Sequence, residues 1–225
     1  MAEGITVLSL FDGISCGRIA LERADIKVDK YYASEIRKIA IETTMFHYPD
    51  TVQIGDVTKV RYENGVLYTE KGDFNVGKID LLIGGSPCQD FSILRAASGL
   101  AITGLEGMKP RLFYEYLRLL REVNPRFFLL ENVKMKKESE KQLNEYLGVE
   151  GIFINSILVS YQNRPRIYWT NIPNVTPPED RKVNFQDFRE RGYEKELPYK
   201  VNRTPSREKM WNNGLGRNQG GACSN

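Results

Sequence analysis

Apolar and polar positions alternate along the chain in two periods. ITVLSL at 5–10 is a short run rich in branched residues; it ends in the glycine-bearing turn FDGISCG at 11–17, and RIALERA follows with helical character. DKYYASE at 29–35 again reads as a strand, and IRKIAIETTMFHY at 36–48 as a helix with Ile36, Ile39, Ala40 and Phe46 near 3.6 spacing. Strands separated by helices of this length predict right-handed βαβ units and a parallel sheet. IDLLIGG at 79–85 and RFFLLEN at 126–132 are nearly continuous apolar runs, as expected of buried strands. Between them, RLFYEYLRLLREV at 111–123 places Leu112, Phe113, Tyr116, Leu117, Leu120 and Val123 on one helical face. The pattern predicts an α/β fold, a doubly wound and mostly parallel sheet.

Two stretches depart from this rhythm. In RYENGVLYTEKGDFN at 61–75, Asn64-Gly65 between β-formers signals a hairpin, read as an insertion on the scaffold. GIFINSILVS at 151–160 and RIYWTNI at 166–172 resemble a closing strand pair. After Ile172, prolines 173, 177, 178 and 198 punctuate a polar stretch, and NNGLGRNQGGACSN at the end is glycine-rich. The expected organisation is one folded domain over 1–172, and over 173–225 a linker or the start of an incomplete unit.

With 41% apolar and 27% charged residues in 225, composition excludes dominant disorder. No stretch approaches the ~18 uninterrupted apolar residues of a membrane span, and the first residues lack a basic segment followed by a long apolar one. A soluble intracellular protein with no membrane partner is expected. Cys16, Cys88 and Cys223 form no CxxC pair and His47 is the single histidine, which argues against a disulfide framework and against a structural metal site. The net charge of +3 is unevenly spread: residues 1–180 hold 22 basic and 24 acidic side chains, residues 181–225 hold 10 and 5. A basic tail suits either a polyanion or a solvated terminus, and a tally without a clustered patch does not decide.

FDGISCG lies where a doubly wound sheet binds nucleotide-like ligands, although Gly13 and Gly17 do not make a GxGxxG fingerprint; the alternative is a plain structural turn. Glu35 ends the second strand and Asp56 the third, placed to accept from ribose hydroxyls and an adenine amine, or else to cap helices. GGSPCQDFS at 84–92 follows a buried strand. Lone cysteines are usually inert core residues, but Cys88 stands in a polar loop at a strand's carboxyl end, a position that suits a nucleophile. Glu131, in Glu131-Asn132-Val133, ends the next strand, and a cysteine with a neighbouring carboxylate makes a nucleophile and general acid pair.

FDGISCG, Glu35, Asp56, GGSPCQDFS, ENV and QNRPR, in this order, resemble the ordered motifs of DNA (cytosine-5) methyltransferases over roughly residues 5–172, about three quarters of the chain. The specific parts are Pro87-Cys88-Gln89, Glu131-Asn132-Val133 and Gln162-x-Arg164-x-Arg166 taken together. VLSLFDG and RLFYEY resemble the de novo-type branch and its phage and bacterial relatives. The resemblance implies a Rossmann-like methyltransferase fold that uses S-adenosyl-L-methionine and acts on double-stranded DNA with the target base flipped out. It implies that Cys88 attacks C6 of cytosine, that Glu131 hydrogen-bonds N3 and the exocyclic amine, and that Arg164 and Arg166 support the base and the phosphate backbone. The cofactor would be held by Phe11, Asp12, Gly13, Ile14 and Cys16 around its methionine part, Glu35 at the ribose, Asp56 and Val57 at the adenine, with Leu112 and Pro87 beside it.

The family continues into a target-recognition region and a segment that completes the cofactor pocket, and neither is recognisable here. The expectation is therefore a fragment, a split enzyme completed by a second chain, or a truncated product. The implied setting is the cytoplasm of a bacterial or phage-infected cell, in restriction–modification or phage self-methylation, or the nucleus if eukaryotic. Three alternatives stay open: a tRNA-directed relative, slightly favoured by ENVK at 131–134, a non-catalytic regulatory module, and a small-molecule enzyme on the same fold. The Cys88, Glu131 and Arg164 set argues against the last.

Overall fold

A computed structural model describes residues 4–87 and 111–183. Among them, β1 (Ile5–Leu10) leads into α1 (Cys16–Arg23) and β2 (Val28–Ser34) into α2 (Lys38–His47). Then come β3 (Val52–Gln53), β4 (Arg61–Glu63), β5 (Val66–Thr69), β6 (Gly72–Asn75) and β7 (Leu81–Gly84). The chain continues through α3 (Arg111–Val123), β8 (Phe127–Val133), α4 (Lys137–Leu147), β9 (Ile152–Asn155) and β10 (Pro165–Thr170).

Seven strands form one sheet in the order β3-β2-β1-β7-β8-β10-β9. β3, β2, β1, β7 and β8 pair in parallel, and β10 enters antiparallel to β8. Register aligns Ser34 with Leu10, Leu10 with Gly84 and Gly84 with Leu130. The residues that follow, Glu35, Phe11 and Gly85, therefore leave the sheet along one edge, level with Glu131, which is still within β8. That is where open α/β sheets bind their ligands.

Side chains alternate across the strands and build a core on each face. Leu8, Leu10, Leu82, Phe128 and Leu130 join Phe113, Tyr116 and Leu117 of α3 and Leu143 of α4 on one side. Val7, Tyr31, Ala33, Leu81 and Ile83 form the other, with Leu21 of α1 packed against it. Each such side chain, fully buried, contributes ~1.5–3 kcal/mol. Helices on both faces make the sheet doubly wound, as the pattern predicts.

Three elements differ from the sequence expectation. The spacing of Ile36, Ile39, Ala40 and Phe46 is helical, yet Ile36, Ile39 and Phe46 are 72%, 68% and 82% exposed; α2 buries Ala40 and Thr44 instead. The Thr44 hydroxyl is committed to hydrogen bonds below the helix, which fixes the face turned inward. The insertion is a three-stranded antiparallel meander, β4-β5-β6, and not a single hairpin. Its first turn does use Asn64 and Gly65, both in the left-handed region, as Asn-Gly favours. α4 has no counterpart in the hydrophobic pattern, because KESEKQLNEYL buries only Ser139, Leu143 and Leu147; Gly148, at φ 69°, ends it.

The chain divides into two compact units, one of Met1–Ile154 and Pro165–Pro177, the other of Asn155–Arg164 and Pro178 onward. In the second, Asn155 Oδ1 accepts the N–H groups of Ile157 and Arg164 while its amide donates to Asn163, closing a loop over 155–164. Among the described residues no helix is long and apolar enough to cross a membrane.

Candidate active site

At the carboxyl edge, the end of β7 is fastened to the end of β8. A Cβ on Gly84 would stand 2.9 Å from the Leu10 carbonyl oxygen and 3.0 Å from the Tyr116 ring, so only glycine allows this approach. A Cβ on Gly85 would stand 3.0 Å from Glu131 Oε2, which puts the carboxylate directly against the start of the loop. Asn132 is 1% exposed; its Nδ2 donates to both the carbonyl and the hydroxyl oxygen of Ser86 at 3.3 Å, and its Oδ1 accepts its neighbour Val133's N–H. Ser86 is thereby held in place, followed by exposed Pro87. Cys88, the predicted nucleophile, is the next residue and lies outside the described residues.

Glu131 has a cationic partner. β10 runs against β8 with Tyr168 opposite Glu131 and Arg166 opposite Val133, and Arg166 Nε donates to Glu131 Oε1 at 2.5 Å. The two side chains are 15% and 33% exposed, so the pair is sheltered enough to be screened less than a surface ion pair. Arg164 belongs to the other unit, where it is exposed and its main chain closes the 155–164 loop.

The first turn is built on left-handed backbone. Phe11, Gly13 and Ser15 have φ of 57°, 61° and 60°. A non-glycine residue there costs ~1–2 kcal/mol, so two of the three positions need external support. Asp12 supplies it: Oδ1 accepts from Ser9 Oγ at 2.6 Å and Tyr31 Oη at 2.8 Å, and Oδ2 accepts from Ser15 Oγ at 2.5 Å. The Ser15 and Thr44 hydroxyls lie 3.0 Å apart. Burial pushes the Tyr31 phenol well above its ordinary range, reinforced by the Asp12 carboxylate, which keeps it a donor. Above this network Gly13 is open, with nothing within 4 Å of where a Cβ would stand; Ile14 is 50% exposed and Cys16 is an exposed free thiol.

Glu35 closes the turn from the second strand. Its Oε2 accepts the Gly13 N–H at 2.8 Å and its Oε1 those of Ile36 and Arg37 at 2.8 and 2.9 Å. Asp56 caps the short 3-10 turn Val57–Lys59 by accepting the Thr58 N–H at 2.9 Å. Val57 is 4% exposed and belongs to the main core, and Leu112 packs half-buried against the same core. Asp56 thus performs the capping role that the sequence allowed, whereas Glu35 is not the cap of α2, which begins after Arg37, but ties Gly13 to the backbone leading into that helix.

The sequence reading passed over Ser9, Ser15, Tyr31, Thr44 and the Asn132–Ser86 tie. Hydroxyls and amides carry no periodic signal; only the buried position of each reveals its use. A cavity of about 550 Å³ lined by Thr6, Asp29, Lys30, Lys78, Asp80 and Arg126 opens at the opposite, amino-terminal edge, away from these groups.

The C-5 cytosine-specific DNA methylase family matches residues 5–212. The type II methyltransferase M1.ScrFI of Lactococcus lactis subsp. cremoris is 36% identical over 195 residues, 81% of this chain and 44% of that protein. The type II methyltransferase M.NgoBV of Neisseria gonorrhoeae is 31% identical over 75% of this chain and 41% of its own length. The orphan methyltransferase M.Rho11sI of Bacillus phage rho11s is 30% identical over 73% of this chain and 32% of its own. The chain thus spans less than half the length of these curated relatives. A crystal structure described as a DNA modification methyltransferase encoded within an E. coli prophage superposes with a TM-score of 0.54 at 23% identity, over 74% of this chain and 46% of that one, and shares the fold. With the ordered strand-end motifs on a doubly wound sheet and the family matched from residue 5 to 212, this chain belongs to the C-5 cytosine-specific DNA methylases.

Proposed function

We propose that this chain carries the catalytic core of a DNA cytosine-5 methyltransferase, with Cys88 as the nucleophile. The observation that carries the reading is the Glu131–Arg166 pair against Gly85, at the root of the loop that runs through Ser86 and Pro87 to residue 88. The Cys88 thiolate adds to C6 of a flipped cytosine, and the ring electrons move towards N3. Glu131 stabilises that charge by hydrogen bonds to N3 and the exocyclic amine, its orientation set by Arg166. Bonding of a methyl group at C5 is followed by loss of the C5 proton to solvent and departure of Cys88, which restores the aromatic ring. Arg164 engages the phosphate backbone of double-stranded DNA, a task suited to a permanently charged guanidinium.

S-adenosyl-L-methionine would supply the methyl group, its sulfonium S–CH3 bond breaking as S-adenosylhomocysteine leaves. The first turn fits such a ligand: Gly13 is open, with nothing within 4 Å of where a Cβ would stand, and Ile14 and Cys16 beside it are exposed. Phe11, Asp12, Gly13, Ile14 and Cys16 form the methionine side, Glu35 the ribose side, Asp56, the Val57 backbone and Leu112 the adenine side, and Pro87 the wall next to the nucleophile. The catalytic core spans 1–172, and 173–225 begin a linker or recognition region. Because this chain matches less than half the length of each of these relatives, we assign target recognition and closure of the pocket to polypeptide outside residues 1–225, in a longer protein or a second chain. The bacterial and phage relatives suggest a cytoplasmic setting, in restriction–modification or phage self-methylation.

The test is trapping on duplex DNA carrying 5-fluoro-2′-deoxycytidine with S-adenosylmethionine, using this chain and any longer or paired form in which it occurs. A denaturant-stable adduct that disappears with Cys88→Ser is expected. An adduct that survives Cys88→Ser, or methyl transfer to tRNA and not DNA, overturns the reading.

A further inference from the structure

The Asp12 carboxylate, at the first turn, does not face outward: its three hydroxyl partners, Ser9, Ser15 and Tyr31, come from β1, the turn itself and β2. Thr44 reaches the same cluster from α2, sharing a hydrogen bond with Ser15 and donating to the Gly13 carbonyl at 3.5 Å. Ser15, Tyr31 and Thr44 are 0%, 1% and 1% exposed, so none can touch a ligand. Yet the residues they grip, Asp12, Gly13 and Ser15, belong to the left-handed stretch that opens the Gly13 cradle. Removing one hydroxyl leaves a buried acceptor or donor with fewer partners and releases a backbone that prefers another conformation.

We infer that Tyr31, through the Asp12 carboxylate, and Thr44, through Ser15 and the Gly13 carbonyl, are positioning residues that hold the first turn in its ligand-binding conformation. The inference rests on the cofactor reading for its consequence, but the conformation of the turn can be measured without it. Cys16 is exposed beside Ser15 and reports on the turn. Its labelling rate by a small disulfide reagent, read by mass spectrometry on the Cys16 peptide, is expected to change at least threefold in Tyr31→Phe and Thr44→Val, and to return in Thr44→Ser. S-adenosylmethionine binding, measured by calorimetry on the same proteins, is expected to weaken about tenfold in the first two and recover in the third. Far-UV circular dichroism and thermal melts show whether each variant is folded; if Thr44→Val is not, Tyr31→Phe, which removes one atom, decides alone. Unchanged labelling and unchanged affinity overturn the inference. Altered labelling in the variants, together with no S-adenosylmethionine binding by the wild-type protein, sinks the cofactor reading and leaves the positioning role standing.

Discussion

Arg166 reaches across an antiparallel strand pair to Glu131, with Nε and Oε1 2.5 Å apart, and the same carboxylate lies against Gly85. One carboxylate thus joins three strand ends: β8, which carries it, β10, which orients it, and β7, whose loop leads to the proposed nucleophile. Glu131→Gln keeps the shape but removes the proton chemistry, and a 10²–10⁴-fold loss in the rate of methyl transfer is expected, on the order typical of a general acid. Arg166→Met leaves the carboxylate unpaired and lets it swing. Its rate is expected to fall comparably, in a single-turnover assay, with little change in the dissociation constant for S-adenosylmethionine. Retention of full activity by either variant would remove the pair from the mechanism.

Asn132 is predicted to matter for stability more than its neighbours in the motif. Alanine at this position strips the Ser86 carbonyl and hydroxyl of a buried donor, at a cost of ~1–3 kcal/mol. Asn132→Asp is expected to be at least as damaging, since a carboxylate offers no N–H to that carbonyl. Thermal melts test both; at this chain length ~1 kcal/mol corresponds to about 2–4 °C.

Gly13 separates strain from space. Because an added Cβ meets nothing within 4 Å, Gly13→Ala is expected to cost only the left-handed backbone penalty, ~1–2 kcal/mol, while its methyl group projects into the cradle. A modest fall in melting temperature with a tenfold or greater loss of cofactor affinity is the expected outcome, by melts and calorimetry. Equal affinity would place the ligand elsewhere.

Alkaline pH should weaken the protein through Tyr31. Its phenol, raised by burial and by the nearby Asp12 charge, holds its proton more tightly folded than unfolded. The corresponding stability is complete below about pH 10, where an unfolded tyrosine begins to ionise, and is lost as pH rises towards the folded-state value, at up to ~1.4 kcal/mol per pH unit. Denaturant melts between pH 9 and 11.5 are expected to show this slope, and Tyr31→Phe to reduce it by up to ~1.4 kcal/mol per pH unit, leaving the part owed to the other buried phenols such as Tyr116. Equal slopes in both proteins contradict the assignment.

The elements visible in the hydrophobic pattern were those in which burial and period coincide. α3 spans Arg111–Val123 as expected, because its apolar face and its core contacts are the same residues. α2 misleads for the opposite reason: its large apolar residues face out, while a hydroxyl, Thr44, faces in to serve the first turn. α4 was invisible because two leucines and a serine are all it buries. In the site, the motif order exposed Glu131 and Arg166 singly, but their pairing depends on β10 running backwards, which no local pattern announces. The hydroxyl network around Asp12 was illegible for a simpler reason: Ser, Thr and Tyr read alike in water and in a buried cluster.

That reversed strand also sets a tether. The chain enters β10 beside the carboxylate edge, at Arg166, and after its six residues leaves from the far edge of the sheet, near Phe128. A strand of that length covers ~20 Å. Whatever follows Ile172 begins on the wrong side, and must spend about that much extended chain retracing the sheet before any of its residues can reach the edge where Glu131 and Gly85 meet.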